Sequence, residues 1–286
     1  MDAAPAPSSG DDPRDFLVDQ EFADYTDTDH ATWRTLARRQ RALLQGRILP
    51  TFLHGLEALG IGETGIPEFR VMNQRLRAAT GWEVVAVPGL VPDLVFFKLL
   101  ADRRFPAGFW IRKPEQIEYI EEPDVFHDVF GHVPLLMQPL YADYLAAYGR
   151  AGLRAAAHEA LHRLARLYWY TVEFGLAQTP EGLRIVGAGI ASSPSETVFA
   201  LESPSPHRVG FDLSRVMRTR YRIDDFQETY FVLDGPEAWP ALDLDRLVPL
   251  WRALEGEPDL DPGDLLPEDH LLHRGDGAYH RAKTAA

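Results

Sequence analysis

The sequence predicts a mainly α-helical fold with a few short β-strands, packed as a single compact domain over residues 15–254. Three observations carry that expectation. Segments with apolar residues at helical spacing recur along the chain, β-branched or glycine-punctuated runs are confined to two short stretches, and no internal repeat or sustained heptad is present.

Residues 1–14, beginning MDAAPAPSSGDD, are rich in Ala, Pro, Ser and acid and are expected to form a disordered tail. Helices then fit Thr32–Leu44, behind Asp29 as a cap, and Phe52–Leu59. A third fits Glu68–Thr80, which starts after Pro67 and ends at Gly81. Val84–Pro88 (VVAVP) reads as a strand and Asp93–Asp102 as a helix. In EPDVFHDVFGHVP, Pro123 suits a first helical turn, and Gly131 with Pro134 is expected to stop the helix after about two turns. Helices fit Tyr141–Leu153 and Ala155–Ala177, a strand fits Arg184–Ser193 (RIVGAGIASS), and helices fit Asp212–Arg220 and Asp245–Leu254. From Glu255 onward Pro, Gly and acid alternate too densely for a regular element, so residues 255–286 are expected to be a loosely ordered tail.

Composition narrows the chemistry. The 286 residues are 45% hydrophobic and 25% charged, the profile of a globular chain. Lys and Arg number 29 against 43 Asp and Glu, a net charge of −14 that disfavours phosphate backbones and anionic lipid. With no cysteine, thiol catalysis, disulfides and thiolate metal ligands are excluded. There is neither an apolar run long enough to span a membrane nor a signal-peptide pattern at Met1–Gly10, so a cytoplasmic location is expected.

Two arrangements resemble metal sites. His158-Glu159-Ala160-Leu161-His162 is a literal H-E-x-x-H on an expected helix, the pattern of a zinc hydrolase, with a chance match on a solvated helix face as the bland alternative. It lacks the downstream Gly and His of the metzincins, and Glu173 lies about 16 Å further along the helix. The second arrangement is His127 and His132. An i, i+5 pair diverges by about 140° on an unbroken helix, so a chain break at Gly131 is expected to fold His132 back. Glu173 in LYWYTVEFGL is a carboxylate in an apolar segment, which calls for a partner, either Arg166 or a metal. Two His and one carboxylate form the facial triad of non-heme Fe(II), although the same ligand types also hold zinc.

EPDVFHDVFGHVPLL (122–136), LYWYTVEFGL (167–176) and GAGIASSPSE (187–196) resemble three signature blocks of the pterin-dependent aromatic amino acid hydroxylases, most of all the bacterial phenylalanine 4-hydroxylases. VPGLVPDLVFFKLLADRRFPAGFWIR (87–112) resembles the family's pterin loop without a gap, and the likeness spans about Phe16 to Gly235. It implies a helical catalytic domain that converts L-phenylalanine to L-tyrosine with O2, Fe(II) and a tetrahydropterin. The resemblance makes His127, His132 and Glu173 the iron ligands. It makes Arg112 the clamp for the substrate carboxylate, positioned by Asp124 and assisted by Ser192. Pro123, Trp169, Phe174 and Gly189 become walls around the substrate ring. Phe96 becomes the plate that stacks on the pterin, with Gly89, Val91 and Asp128 in contact with it, and Tyr168 and Ser193 become supporting residues. Asp128 stands where the animal enzymes carry Glu, and Ile120 where they carry a Thr that helps hold the substrate. The start so close to the catalytic block leaves no room for an N-terminal regulatory domain, and the lack of a C-terminal coiled coil implies a monomer. The rivals are tryptophan hydroxylation or meta-hydroxylation at the same site, the zinc hydrolase at 158–162, and a helical binding domain without turnover.

Overall fold

The computed structural model describes residues 11–284 except positions 119, 121 and 241. The first ten residues of the expected tail therefore lie outside the described residues. From Asp11 the chain is anchored: its carbonyl accepts the Lys98 ammonium at 2.6 Å, and Asp12 caps a 3₁₀ turn over Pro13–Phe16.

Helix α1 (Asp27–Leu44) starts earlier than its apolar pattern indicates, because Thr26 caps it and Asp29 reciprocates at the third position. Asp29 is thus the partner of the cap rather than the cap. Helix α2 (Pro50–Leu59) opens on proline, and α3 (Phe69–Thr80) closes on Gly81 at φ 77°. Strand β1 (Glu83–Val87), helix α4 (Asp93–Ala101) and strand β2 (Arg104–Gly108) form a β-α-β crossover, with β1 and β2 parallel. Helix α5 (Pro139–Ala156) lies against α4 at very short range. A Cβ at Gly149 would overlap the Ala101 backbone, and one at Gly152 would overlap the Phe97 ring.

The chain reverses after α5 in a Schellman turn: Glu159 takes φ 52° and the Ala160 amide donates to Ala155 O at 3.0 Å. Helix α6 (Leu161–Tyr168) passes into a π-helical turn at Trp169–Glu173 and then into strand β3 (Leu176–Thr179). The continuous helix expected over 155–177 is therefore three elements. Strand β4 (Gly182–Ile185) is shorter than expected, because 188–192 coil into helix α7 (Ala188–Ser192), followed by α8 (Pro194–Glu202). The amides of Val186 and Gly187 both turn onto Gly175 O, which ends the strand pairing there.

Strand β5 (His207–Gly210), helix α9 (Leu213–Arg218), strand β6 (Thr229–Leu233) and helix α10 (Leu244–Ala253) follow. Strand β7 (Leu271–His273) and helix α11 (Ala278–Thr284) end the described chain. The second sheet has the order β4-β3-β6-β5-β7, with β3 and β5 parallel to β6. The segment after 255 is docked, contrary to the expected loose tail. Asp259 pairs with Arg166 at 2.6 Å, Asp269 pairs with Arg215 at 2.9 Å, and β7 adds to the sheet edge. Its acidic residues meet buried arginines of α6 and α9, a complementarity that composition alone cannot show.

The core is continuous and aromatic, with Trp33, Phe52, Trp82, Phe126 and Phe130 fully buried. Phe126 and Phe130 stack at 4.7 Å beneath the segment that carries the two histidines. Among the described residues, no helix is long and apolar enough to cross a membrane.

Candidate active site

His127 and His132 lie on a π-helical turn, Phe126–His132, that continues through Gly131 into a 3₁₀ turn, Val133–Met137. The expected chain break does not occur. Hydrogen bonding of the i→i+5 type replaces it, bringing residues five apart onto one face. The two Nε2 atoms come to 3.2 Å of each other. Gly131 is needed for packing instead, since a Cβ there would sit 2.9 Å from Ala188 O on α7.

The second π-helical turn ends on Glu173, whose carboxylate oxygens lie 3.1 Å from His132 Nε2 and 3.7 Å from His127 Nε2. Three ligand atoms, one from each residue, fall within 4.8 Å of one another, and no other such cluster occurs among the described residues. Arg166, the alternative partner for Glu173, is turned away onto Asp259. Burial opposes ionisation of Glu173, yet the two histidines and the Gly189 amide outweigh it and hold its pKa below the ordinary carboxylate value. Burial pushes His127 down to about 4, so its imidazole is neutral at physiological pH.

The tautomer of His127 follows from Ser192. The Ser192 hydroxyl donates to Ala188 O at 2.9 Å, so its oxygen accepts from His127 Nδ1–H at 2.9 Å and leaves the Nε2 lone pair pointing at Glu173 and His132. Two imidazoles and a carboxylate converging in a buried site fit a divalent metal on donor chemistry.

Two cavities meet at these residues. The smaller, about 280 Å³, is lined by Gly89, Val91, Phe96, Asp128, Tyr168 and the three ligands. Phe96 stands edge-on to Tyr168 at 5.8 Å. Asp128 accepts the Gly108 amide at 2.7 Å, and burial raises its pKa to about 7. The larger, about 560 Å³, contains Arg112, Ile120, Trp169, Phe174, Gly189, Ser192 and Ser193 together with His127 and Glu173. Pro123 borders both. Arg112 is buried and lays Nε and Nη2 on the two oxygens of Asp124 at 2.8 and 2.9 Å. That side-on pairing leaves the Nη1 edge of the guanidinium uncommitted. Asp124 also accepts the His127 amide at 3.1 Å, tying the Arg112 pair to the histidine cluster. Ser193 caps α8, so its first task is structural.

The H-E-x-x-H segment does not assemble. His158 lies in the turn, Glu159 is left-handed and exposed, and His162 is exposed on the next helix. His158 packs 6.0 Å from the Trp251 ring.

Sequence reasoning missed several lining residues. Leu90, Asp93, Phe105 and Trp110 border the smaller cavity, and Ile223 the larger. Tyr221 stacks on Trp169 at 4.3 Å, and Gln227 accepts the Trp169 indole N–H at 2.9 Å. Leu90 lies within the pterin-loop block and was open to recognition there, whereas Tyr221 and Gln227 sit in a stretch with no motif.

A family model for "Biopterin-dependent aromatic amino acid hydroxylase" matches residues 19–238. The chain belongs to this family. Among its relatives, the phenylalanine-4-hydroxylase of Ralstonia nicotianae is 57% identical over 261 residues, covering 91% of this chain and 83% of that protein. The Chromobacterium violaceum phenylalanine-4-hydroxylase is 54% identical over 265 residues, covering 93% and 89%. A crystal structure of the latter with iron and phenylalanine bound superposes with a TM-score of 0.84 at 53% identity, covering 91% of this chain and 95% of that one. As a biopterin-dependent hydroxylase, the chain needs room for a pterin and an aromatic amino acid around one oxidising centre. Two cavities with three ligands between them meet that need.

Proposed function

We propose that the protein is a monooxygenase that hydroxylates L-phenylalanine at the para carbon, giving L-tyrosine, with Fe(II), O2 and a tetrahydropterin. The observation that carries this reading is the His127–His132–Glu173 cluster at the junction of two cavities, one of which contains a buried arginine with a free edge. The names of the bacterial relatives support the same substrate.

His127, His132 and Glu173 would hold the iron, a three-donor set that leaves coordination positions open. Iron and pterin together supply the oxygen activation that no side chain of this protein can provide. The chain's own residues bind and orient. Arg112, locked by Asp124, presents a planar donor pair to the substrate carboxylate. Trp169 and Phe174, with rings 4.8 Å apart, wall the aromatic ring, and Gly189 leaves space at the tip of Phe174. Phe96, Gly89, Val91 and Asp128 bound the pterin side. Holding ring and oxidising centre in one geometry is the catalytic contribution of these walls.

A monomeric, cytoplasmic enzyme is part of the same proposal, supported by the absence of a coiled-coil pattern and of a membrane-length helix among the described residues. The test is to incubate the protein with Fe(II), a tetrahydropterin and equal phenylalanine, tyrosine and tryptophan in air, and to separate the products by chromatography. Para-tyrosine should dominate. Dominant 5-hydroxytryptophan or meta-tyrosine would overturn the substrate assignment, and no product would overturn the activity.

A further inference from the structure

Trp169 forms one wall of the larger cavity, but the groups that hold it there come from far along the chain. Its indole N–H donates to Gln227 Oε1 at 2.9 Å, and its ring stacks on Tyr221 at 4.3 Å and 15°. Gln227 is 1% exposed, and its amide donates to Arg222 O at 2.9 Å, so its position depends on the path of the loop 221–227. The cavity side of that loop gives it little support, since Ile223, which lines the cavity, is 79% exposed.

The outer side is held by α11. Tyr279 Oη and Lys283 Nζ donate to opposite oxygens of Asp225 at 2.9 and 2.8 Å, and His280 Nε2 donates to Phe226 O at 2.9 Å. The Phe226 ring stacks on Phe199 at 4.3 Å and meets Tyr279 at 5.2 Å. Asp225 and Phe226 directly precede Gln227, so fixing them fixes the acceptor of the Trp169 indole.

We propose that helix α11 is a positioning element for the substrate wall, acting through Asp225, Phe226 and Gln227 on Trp169. This rests on the hydroxylase reading for its effect on turnover, but not for the physical coupling. The C-terminal helix contributes no residue to the lining of either cavity. It sets where the aromatic wall stands, and so tunes affinity for the amino acid without touching the pterin side.

The test uses the full-length, iron-loaded enzyme carrying Tyr279→Phe with Lys283→Met, which keeps ring and chain length while removing both donors to Asp225. Gln227→Leu serves as a second variant. Each should raise the Michaelis constant for phenylalanine by roughly threefold to tenfold, the scale of losing one or two modest hydrogen bonds. The tetrahydropterin constant should stay within about twofold. Amide hydrogen exchange across 221–228 should accelerate in the double variant. A phenylalanine constant unchanged in both variants, or both substrate constants moving together with the melting temperature, would overturn the proposal. If the wild-type enzyme turns over no phenylalanine, the hydroxylase reading fails separately. Exchange then decides the coupling alone: faster exchange supports it and unchanged exchange overturns it.

Discussion

Arg112 illustrates how one buried charge can serve two partners. Its Nε–Nη2 edge is neutralised by Asp124, which makes burial of the guanidinium tolerable, and the other edge is the one the proposed function assigns to the substrate carboxylate. Lysine cannot do both, because its ammonium is a single point donor. Arg112→Lys should therefore raise the Michaelis constant for phenylalanine by about tenfold to a hundredfold, corresponding to 1.5–3 kcal/mol. The check is steady-state kinetics with a fixed, saturating pterin. Glu196 carries a second residue-scale consequence. It is buried on α8 as the acceptor of the Tyr230 hydroxyl, and burial raises its pKa to about 7. Because the folded pKa exceeds the unfolded one, the native state holds a proton that the unfolded chain releases. Stability from this group is full below about pH 4.5 and declines as pH rises through about 7. Glu196→Gln should thus outlast the wild type in thermal melts at pH 8 by on the order of 2–3 kcal/mol and lose that advantage at pH 5. An advantage independent of pH would contradict the sign. The sequence was most informative at this scale. His127, His132 and Glu173 stand out because their chemistry admits few residue types, while Arg112 and Asp124 were legible only through the family resemblance. Gln227 and Tyr221 do not, because an amide and a phenol in a loop carry no such restriction.

At the scale of elements, the apolar periodicity located α1 to α4 to within a few residues, because each is bounded by a proline, a glycine or a capping side chain. It failed at the two segments that carry the three candidate metal ligands. Both run through π-helical turns, and a test that assumes 3.6 residues per turn has no means of registering them. Strand β2 (RFPAG) was missed because a proline at its centre argues against a strand, and the pairing tolerates it only at the edge of a two-stranded sheet. Helix α7 was read as strand because its glycines suggested punctuation. They serve close approach instead: a Cβ at Gly187 would overlap the Glu173 carbonyl, and one at Gly189 would press on the tip of the Phe174 ring. Gly187→Ala is therefore expected to displace the Glu173 backbone, lower bound iron measured by metal analysis, and destabilise the fold by about 1–3 kcal/mol. Full iron content in a folded Gly187→Ala protein would refute this account of the packing.

The whole molecule closes through its C-terminal segment. Composition suggested a loose tail, since dense proline, glycine and acid lack any period. The acids instead find Arg166 and Arg215, and the Arg215–Asp269 pair is 5% exposed on both sides. Asp269→Ala strands a buried guanidinium and should cost about 3–5 kcal/mol in denaturant titration, whereas a loose tail would make it neutral. The same global view applies to the three converging donors. Two imidazoles and a carboxylate converge within 4.8 Å only in the folded chain, since they come from two separate π-helical turns. Metal binding is therefore linked to folding. Each tenfold excess of free Fe(II) over its dissociation constant adds about 1.4 kcal/mol to unfolding, provided the unfolded chain does not bind it. Chelation should lower the melting temperature of the wild type by several degrees and leave that of His127→Ala unmoved. Iron supply then governs how long each molecule survives proteolysis as well as whether it turns over, so an iron-starved cell would be expected to carry less of this protein.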